Sequence, residues 1–234
     1  KLLGVIIPVV IAIVVVLVVV AYQISAGIIK KYSQNLLQSS VENQASQIEA
    51  WLNENLASFQ MAKTTIENLK PDDEELKTIL DSYYGYNSNY PDGLYVADST
   101  GQLITASEST KKESDVTNST WYKEGLSRVN MAVGSAYQNA DGVDVISASG
   151  ILNDGSDKVR VISADMTLDR IAIIVNSFIE MNDAEAFLVD KTSGVILANR
   201  DSSLISQTLG AEGQSLRQRK LQRKTIILLH LMEI

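Results

Sequence analysis

"YPDGLYVADSTGQLITAS", Tyr90 to Ser107, reads as turn, strand, turn, strand. Pro91-Asp92-Gly93 and Ser99-Thr100-Gly101 punctuate two short apolar runs, the pattern of a β-hairpin. "AEAFLVDKTSGVILANRD", Ala184 to Asp201, repeats the arrangement about ninety residues later. Aligning Tyr95 with Phe187 puts Asp98 on Asp190, and Gly101 falls within one residue of Gly194. Each copy is an aromatic-led strand, an Asp, a Gly turn and a second apolar strand. The repeat predicts two related αβ modules rather than one large fold. The Asp of each copy is expected to hold its turn through hydrogen bonds to nearby backbone.

Between the copies, Trp121 to Arg128 is predicted as a short helix. Three strands are expected after it, at Ala132 to Gln138, Val143 to Leu152 and Val159 to Met166. "NDGSD", Asn153 to Asp157, is a hairpin turn between the last two. Leu168 to Ile179 is apolar and helical, and leads into the second copy. Asp141 and Asp144 flank a turn at Gly142, with a spacing unlike a calcium loop.

Upstream, Leu2 to Ala21 is a run of twenty residues without a charge. At about 1.5 Å per residue it matches a hydrocarbon core of roughly 30 Å. It is longer than the apolar region of a signal peptide, and "AYQISAG" is a poor cleavage site, so an uncleaved anchor is expected. From Ser25 to Lys70 there is no Pro and a single Gly, Gly27. Apolar or small residues recur every three or four positions, from Ile29, Tyr32 and Leu36 through Leu52, Phe59 and Ile66 to Leu69, one stripe of a long helix. Such a helix reads as a stalk whose stripe serves core packing and a dimer seam. Pro71 ends it, and "DDEE" offers the start of another short helix.

Composition narrows the function. The formal charge of −8 over 234 residues speaks against a nucleic-acid surface. The chain has no Cys, which removes disulfides, thiol nucleophiles and thiolate metal sites. Its one His, His230, stands in the C-terminal tail, so His-based catalysis in the body is excluded. No carboxylate pair is set at a catalytic separation by the sequence. No enzymatic activity, metal or cofactor is expected. A stalk-like adhesin or assembly protein is a competing class, which the alternating hairpins disfavour.

The chain resembles the extracytoplasmic double Cache sensor domain, in which two PAS-like modules hang on one long helix rising from a membrane span. The residues behind the resemblance are the anchor, the stalk, "GLYVADSTGQLI", "WYKEGL", "SAYQNADG", "VISADMTLDRI" and "AFLVDKTSGVILANRD", over about Leu2 to Leu209. The resemblance implies an α+β fold: an N-terminal transmembrane helix, a long stalk helix and two PAS-like antiparallel-sheet modules. It also implies small-molecule sensing by the input part of a chemotaxis receptor, with a histidine kinase or cyclase output as the alternative. The ligand would sit in the first, membrane-distal module and act through the long helices, in a homodimer at the cell membrane.

Family members that bind amino acids carry Arg-x-Trp-Tyr, a later Tyr-x-Asp, and an Asp at a strand end. In them the Arg grips the ligand carboxylate, the Asp residues hold its ammonium, and the aromatics close over it. Trp121, Tyr122, Tyr137 and Asp165 fit that pattern. Ser119 stands in place of the Arg, and Asn139 in place of the first Asp. The implied ligand-binding set is therefore Trp121, Tyr122, Tyr137, Asn139 and Asp165. Without a bidentate Arg clamp, an amine-containing or neutral ligand is expected rather than a free α-amino acid. Each residue also has a structural reading: Trp121 and Tyr122 as core anchors, Tyr137 and Asn139 as one face of a strand, Asp165 as an N-cap or turn residue.

The expected organisation is an anchor at 1–22, a stalk at 23–70, the ligand-binding module at 71–180 and the start of a second module at 181–215. The start at Lys1 rather than Met reads as a fragment or processed chain. Residues 216–234 form an atypical basic tail, whose apolar run Ile226 to Met232 is too short for a second span. A frameshift product is the preferred reading of this tail, and a membrane-lying amphipathic segment the alternative. The second module is then incomplete.

Overall fold

The computed structural model describes residues 3–176, 184–189, 194–199, 201–205, 207 and 225–230. One helix, α1, runs from Leu3 to Leu69. By contact the chain divides into a unit of residues 1–43 and a unit of residues 44–234.

The first unit is the N-terminal part of α1. Its apolar side chains are exposed, Val15, Leu17 and Ile29 among them. The stretch from Ile6 is long and apolar enough to cross a membrane by length and composition, with mean hydropathy 2.9 in its most apolar window. The predicted anchor and stalk are thus one uninterrupted helix.

In the second unit the same helix is half-buried. Ile48, Leu52, Phe59, Ala62 and Ile66 are buried, the steps of three, four and seven expected of a single helical face. The helix stops where the sequence predicts. Lys70 takes a left-handed φ of 49°, because the residue before Pro71 is driven out of the α region. Asp72 then caps α2 (Asp73–Asp81): its side chain accepts from the backbone of Glu74 and Glu75, and Glu75 reaches back in a full capping box.

The main sheet contains β1 (Leu94–Asp98), β2 (Leu103–Ile104), β3 (Ala132–Gln138), β4 (Asp144–Leu152) and β5 (Arg160–Thr167). Its order is β2-β1-β5-β4-β3, and all pairs are antiparallel. The first hairpin forms as predicted. Gly93 opens it at φ 67°, where a Cβ would stand 2.9 Å from the Tyr83 carbonyl. Asp98 holds the following turn: its Oδ1 accepts from the backbone of Thr100 (2.8 Å) and Gln102 (3.1 Å).

Side chains alternate across the sheet. One face presents Leu94, Val96, Ile146, Ala148, Ile162, Ala164 and Met166, all buried. The buried part of α1 is tied to loops at this sheet's ends. Gln60 accepts from the Met131 amide at 2.7 Å and Glu67 from the Asn153 amide at 2.9 Å. The Phe59 and Tyr90 rings meet edge to face, 4.7 Å apart. The other face presents Tyr95, Ala97, Val161, Ser163, Asp165, Ser147, Ser149 and Tyr137, and α3 (Thr120–Gly125) lies across it.

After β5 comes α4 (Leu168–Asn176), where the apolar run suggests a helix; 177–179 lie outside the described residues. The second hairpin forms as β6 (Ala184–Val189) and β7 (Ile196–Asn199), while Asp190 lies outside the described residues. The tail contributes what the sequence did not announce. Thr225–His230 is a strand, β8, paired in parallel with β6 from Ala184↔Thr225 to Val189↔His230. The apolar run too short for a membrane span has the length and composition of a sheet strand.

Candidate ligand-binding site

The site is built on the face of the main sheet beneath α3. Asp165 projects from β5 and is 2 % exposed. Register places Ser147 of β4 directly opposite it, and Tyr95 of β1 opposite Ser163 two residues earlier. Both hydroxyls therefore reach the carboxylate. Asp165 Oδ1 accepts from Tyr95 Oη at 2.5 Å, from Ser147 Oγ at 2.5 Å and from Tyr137 Oη at 3.1 Å. Oδ2 accepts from Lys111 Nζ at 2.6 Å.

Lys111 belongs to the loop between β2 and α3, and its side chain is 6 % exposed. Its ammonium also stands 4.3 Å from the centroid of the Tyr95 ring, a cation–π contact. Asp92 and Glu113 are two further half-buried carboxyls within its electrostatic reach. Burial raises the pKa of both. Lys111 partly offsets the rise at Asp92; a hydrogen bond from Trp121 and then Lys111 do so at Glu113. Burial, and next the facing Asp165 carboxylate, push the Tyr95 hydroxyl well above its ordinary value, and Tyr137 moves the same way. Both tyrosines are therefore donors to Asp165 at any ordinary pH.

Trp121 closes the aromatic side. It is fully buried, with its ring edge-on to Tyr95 at 4.9 Å and to Tyr122 at 5.7 Å. Its indole Nε1 donates to Glu113 Oε2 at 2.8 Å, so the one polar atom of the ring is satisfied. The close approach of α3 depends on Gly125, where a Cβ would collide with Val161 Cγ1 and meet Ser149 Cβ at 3.2 Å.

Of the five residues singled out in the sequence, the structure brings three to one cluster. Tyr137 bonds Asp165 directly, and Tyr95 links Asp165 to Trp121. Tyr122 packs on Trp121 as part of the same apolar core. Asn139 is placed differently, past the end of β3, where its Oδ1 accepts the backbone of Asp141 (3.1 Å) and Val143 (2.9 Å) and holds the β3–β4 turn. Asp165 is not the cap of α4; it lies inside β5, with its carboxylate given to the four donors above. Tyr95, Lys111, Glu113 and Ser147 are the contributors not singled out in the sequence. Only Tyr95 carried a signal there, as the aromatic that leads each hairpin.

Among the described residues no group of three or more His, Cys, Asp or Glu side chains is arranged to hold a metal ion. A cleft of about 630 Å³ opens elsewhere, lined by Lys70 to Glu74, Asp154 to Ser156 and Arg160. Arg160 is on the opposite face of β5 from Asp165, by the alternation of the strand. It donates to Asp154 at 2.8 Å and also to Asp73, so it pins α2 to the β4–β5 turn.

A long helix leading into an antiparallel sheet, with a buried acid and aromatic rings under a short helix, is the build of a small-molecule sensor domain. Residues 23–229 match the model of the Cache domain, and the chain belongs to that family of ligand-binding sensor modules. No relative was found among curated proteins. Solved structures of similar fold include ligand-binding domains of chemoreceptors. One is that of Pseudomonas aeruginosa PctC in complex with GABA: 22 % identity, 76 % of this chain and 80 % of that one, TM-score 0.63. Another is that of Pseudomonas fluorescens CtaA with L-valine: 20 % identity, 77 % and 81 %, TM-score 0.63. A third is the ligand-binding domain of Mlp24 with asparagine: 19 % identity, 76 % of each chain, TM-score 0.64.

Proposed function

We propose that the chain is the extracytoplasmic input part of a transmembrane signalling receptor, and that a small ligand bearing an ammonium group binds at Asp165. The observation that supports this is the buried Asp165 carboxylate, which already holds one ammonium beside an aromatic ring. A carboxylate, hydroxyls and a π face are the chemistry that recognises an amine. The likeness to chemoreceptor domains solved with GABA and amino acids supports the same class of ligand.

In this reading Trp121, Tyr122, Tyr137 and Asp165 line the site in the membrane-distal, PAS-like module, and residues from 181 begin a second such module. The apolar N-terminal stretch of α1 anchors the chain in the membrane with the sensor outside. Two stalks pair in parallel, so that ligand occupancy is relayed as a small shift between helices to an output such as a chemotaxis signalling domain.

A thermal-shift screen of the whole chain in detergent, against amines, amino acids, purines and short carboxylates, tests this. An amine-bearing compound is expected to raise the melting temperature in a saturable manner. Stabilisation by carboxylates or purines alone would contradict it.

A further inference from the structure

Lys111 and Asp165 are an unusual pair for a binding site. The carboxylate has four donors: three hydroxyls on Oδ1 and one ammonium on Oδ2. Asp165 is 2 % exposed and the buried Lys111 side chain covers Oδ2, so a ligand ammonium reaches the carboxylate once Lys111 moves aside. Lys111 comes from the irregular stretch between β2 and α3, fastened at Ser107 by Asp81, through its backbone amide and hydroxyl, and at Glu113 by Trp121. Its own amide bonds to the nearby Ser109 hydroxyl, at 3.2 Å. Between those two fastenings, the Lys111 side chain is what enters the core.

We propose that Lys111 is the specificity-determining residue of the site: its side chain is a tethered n-alkylammonium occupying the place of the ligand's ammonium, and a ligand binds by displacing it. This rests on the reading of Asp165 as the ligand site. The exchange is balanced, because one ammonium replaces another on Oδ2 and the carboxylate is never left buried and bare, which would be strongly unfavourable. A neutral or anionic ligand cannot make that exchange. The surroundings favour a cation further, since Asp92 and Glu113 add two carboxyls around the one lysine. The proposed ligand class is therefore a primary amine on an unbranched alkyl stem, with no carboxylate of its own beside the ammonium. A seated lysine also sets the affinity. If the open form is one-tenth populated or less, the apparent Kd is about tenfold weaker than the intrinsic one, or more.

The probe is n-butylammonium, the lysine side chain without its backbone, titrated into the whole chain in detergent by calorimetry. Lys111→Ala is expected to bind it at least tenfold more tightly than the wild type and to regain melting temperature on binding. Equal or weaker binding by Lys111→Ala overturns the proposal, as does a loss of γ-aminobutyrate binding in that variant, which would make Lys111 a carboxylate anchor. Should Lys111→Ala not fold, hydrogen exchange over 107–113 in the wild type decides. Saturating n-butylammonium is expected to accelerate exchange there; unchanged or slower exchange overturns the proposal. Asp165→Asn separates the two ideas. If it abolishes amine binding while Lys111→Ala gains nothing, the role of Lys111 falls and the site stands. If it leaves amine binding intact, the site itself is misplaced.

Discussion

Trp121 stands edge-on to Tyr95, with ring centroids 4.9 Å apart and planes at 86°, and this one contact joins α3 to the strand that helps hold Asp165. The candidate site and the apolar core beneath α3 therefore share Tyr95 and Trp121. Trp121→Ala should lower stability by about 3–5 kcal/mol in chemical denaturation, the usual cost of emptying a buried Trp position. A loss below about 1 kcal/mol would mean that the indole does not anchor α3.

The helix itself depends on close contact with the sheet. Gly125→Ala forces a methyl group against Val161 Cγ1, and overpacking of this kind costs about 1–3 kcal/mol. Thermal melts of the variant would read it. A stabilised variant, as expected where Ala merely improves helix propensity, would contradict the packing described.

Asp98 makes the fold sensitive to acid. Burial alone would raise its pKa, but Lys158, Thr100 and the backbone of Gln102 outweigh burial and hold it at about 2. A depressed folded value means stability that is fully present above pH of about 4 and is lost as pH falls towards about 2. Lys158 is 40 % exposed, so solvent screening reduces the effect to about 1–2 kcal/mol. Urea denaturation between pH 6 and 2 should show this loss in the wild type. The loss should be smaller in Asp98→Asn, which starts less stable; parallel curves would contradict it.

Much of this was legible in the sequence. Gly93, Gly101 and Pro71 mark the first hairpin and the end of α1 because each imposes a backbone conformation locally. Strands β3 to β5 fall within a residue or so of their predicted limits, since turn residues at Gly142 and at Asn153 to Asp157 bound the apolar runs on either side. Lys111 was not legible. In "TKKES" it reads as a solvated charge, and its partner Asp165 is 54 positions away, a distance no periodicity spans. Asn139 fits the family pattern by position, but its side chain obeys a local rule, the Asn that bonds the backbone two residues on. Strand β8 was hidden because parallel pairing is a long-range choice: its partner β6 precedes it by some forty residues.

The paired stalk is tested at Ile29 and Leu36, which are 65 % and 46 % exposed on α1. Cysteines placed there should cross-link between chains in membranes, with rates that change when ligand binds. Failure at both positions, with control inter-chain pairs succeeding, would contradict parallel pairing.

The central claim, that a ligand's ammonium is held at Asp165, is met most directly by calorimetry on wild type and Asp165→Asn. Asn is the variant of choice: Asp165→Ala would strand Lys111 and the hydroxyls of Tyr95, Tyr137 and Ser147, at a cost of about 3–5 kcal/mol. The titrant is the best-binding amine from the screen, and circular dichroism verifies that the variant is folded. The expected result is a loss of affinity of about a hundredfold or more in Asp165→Asn. Equal affinity in the folded variant would contradict the claim.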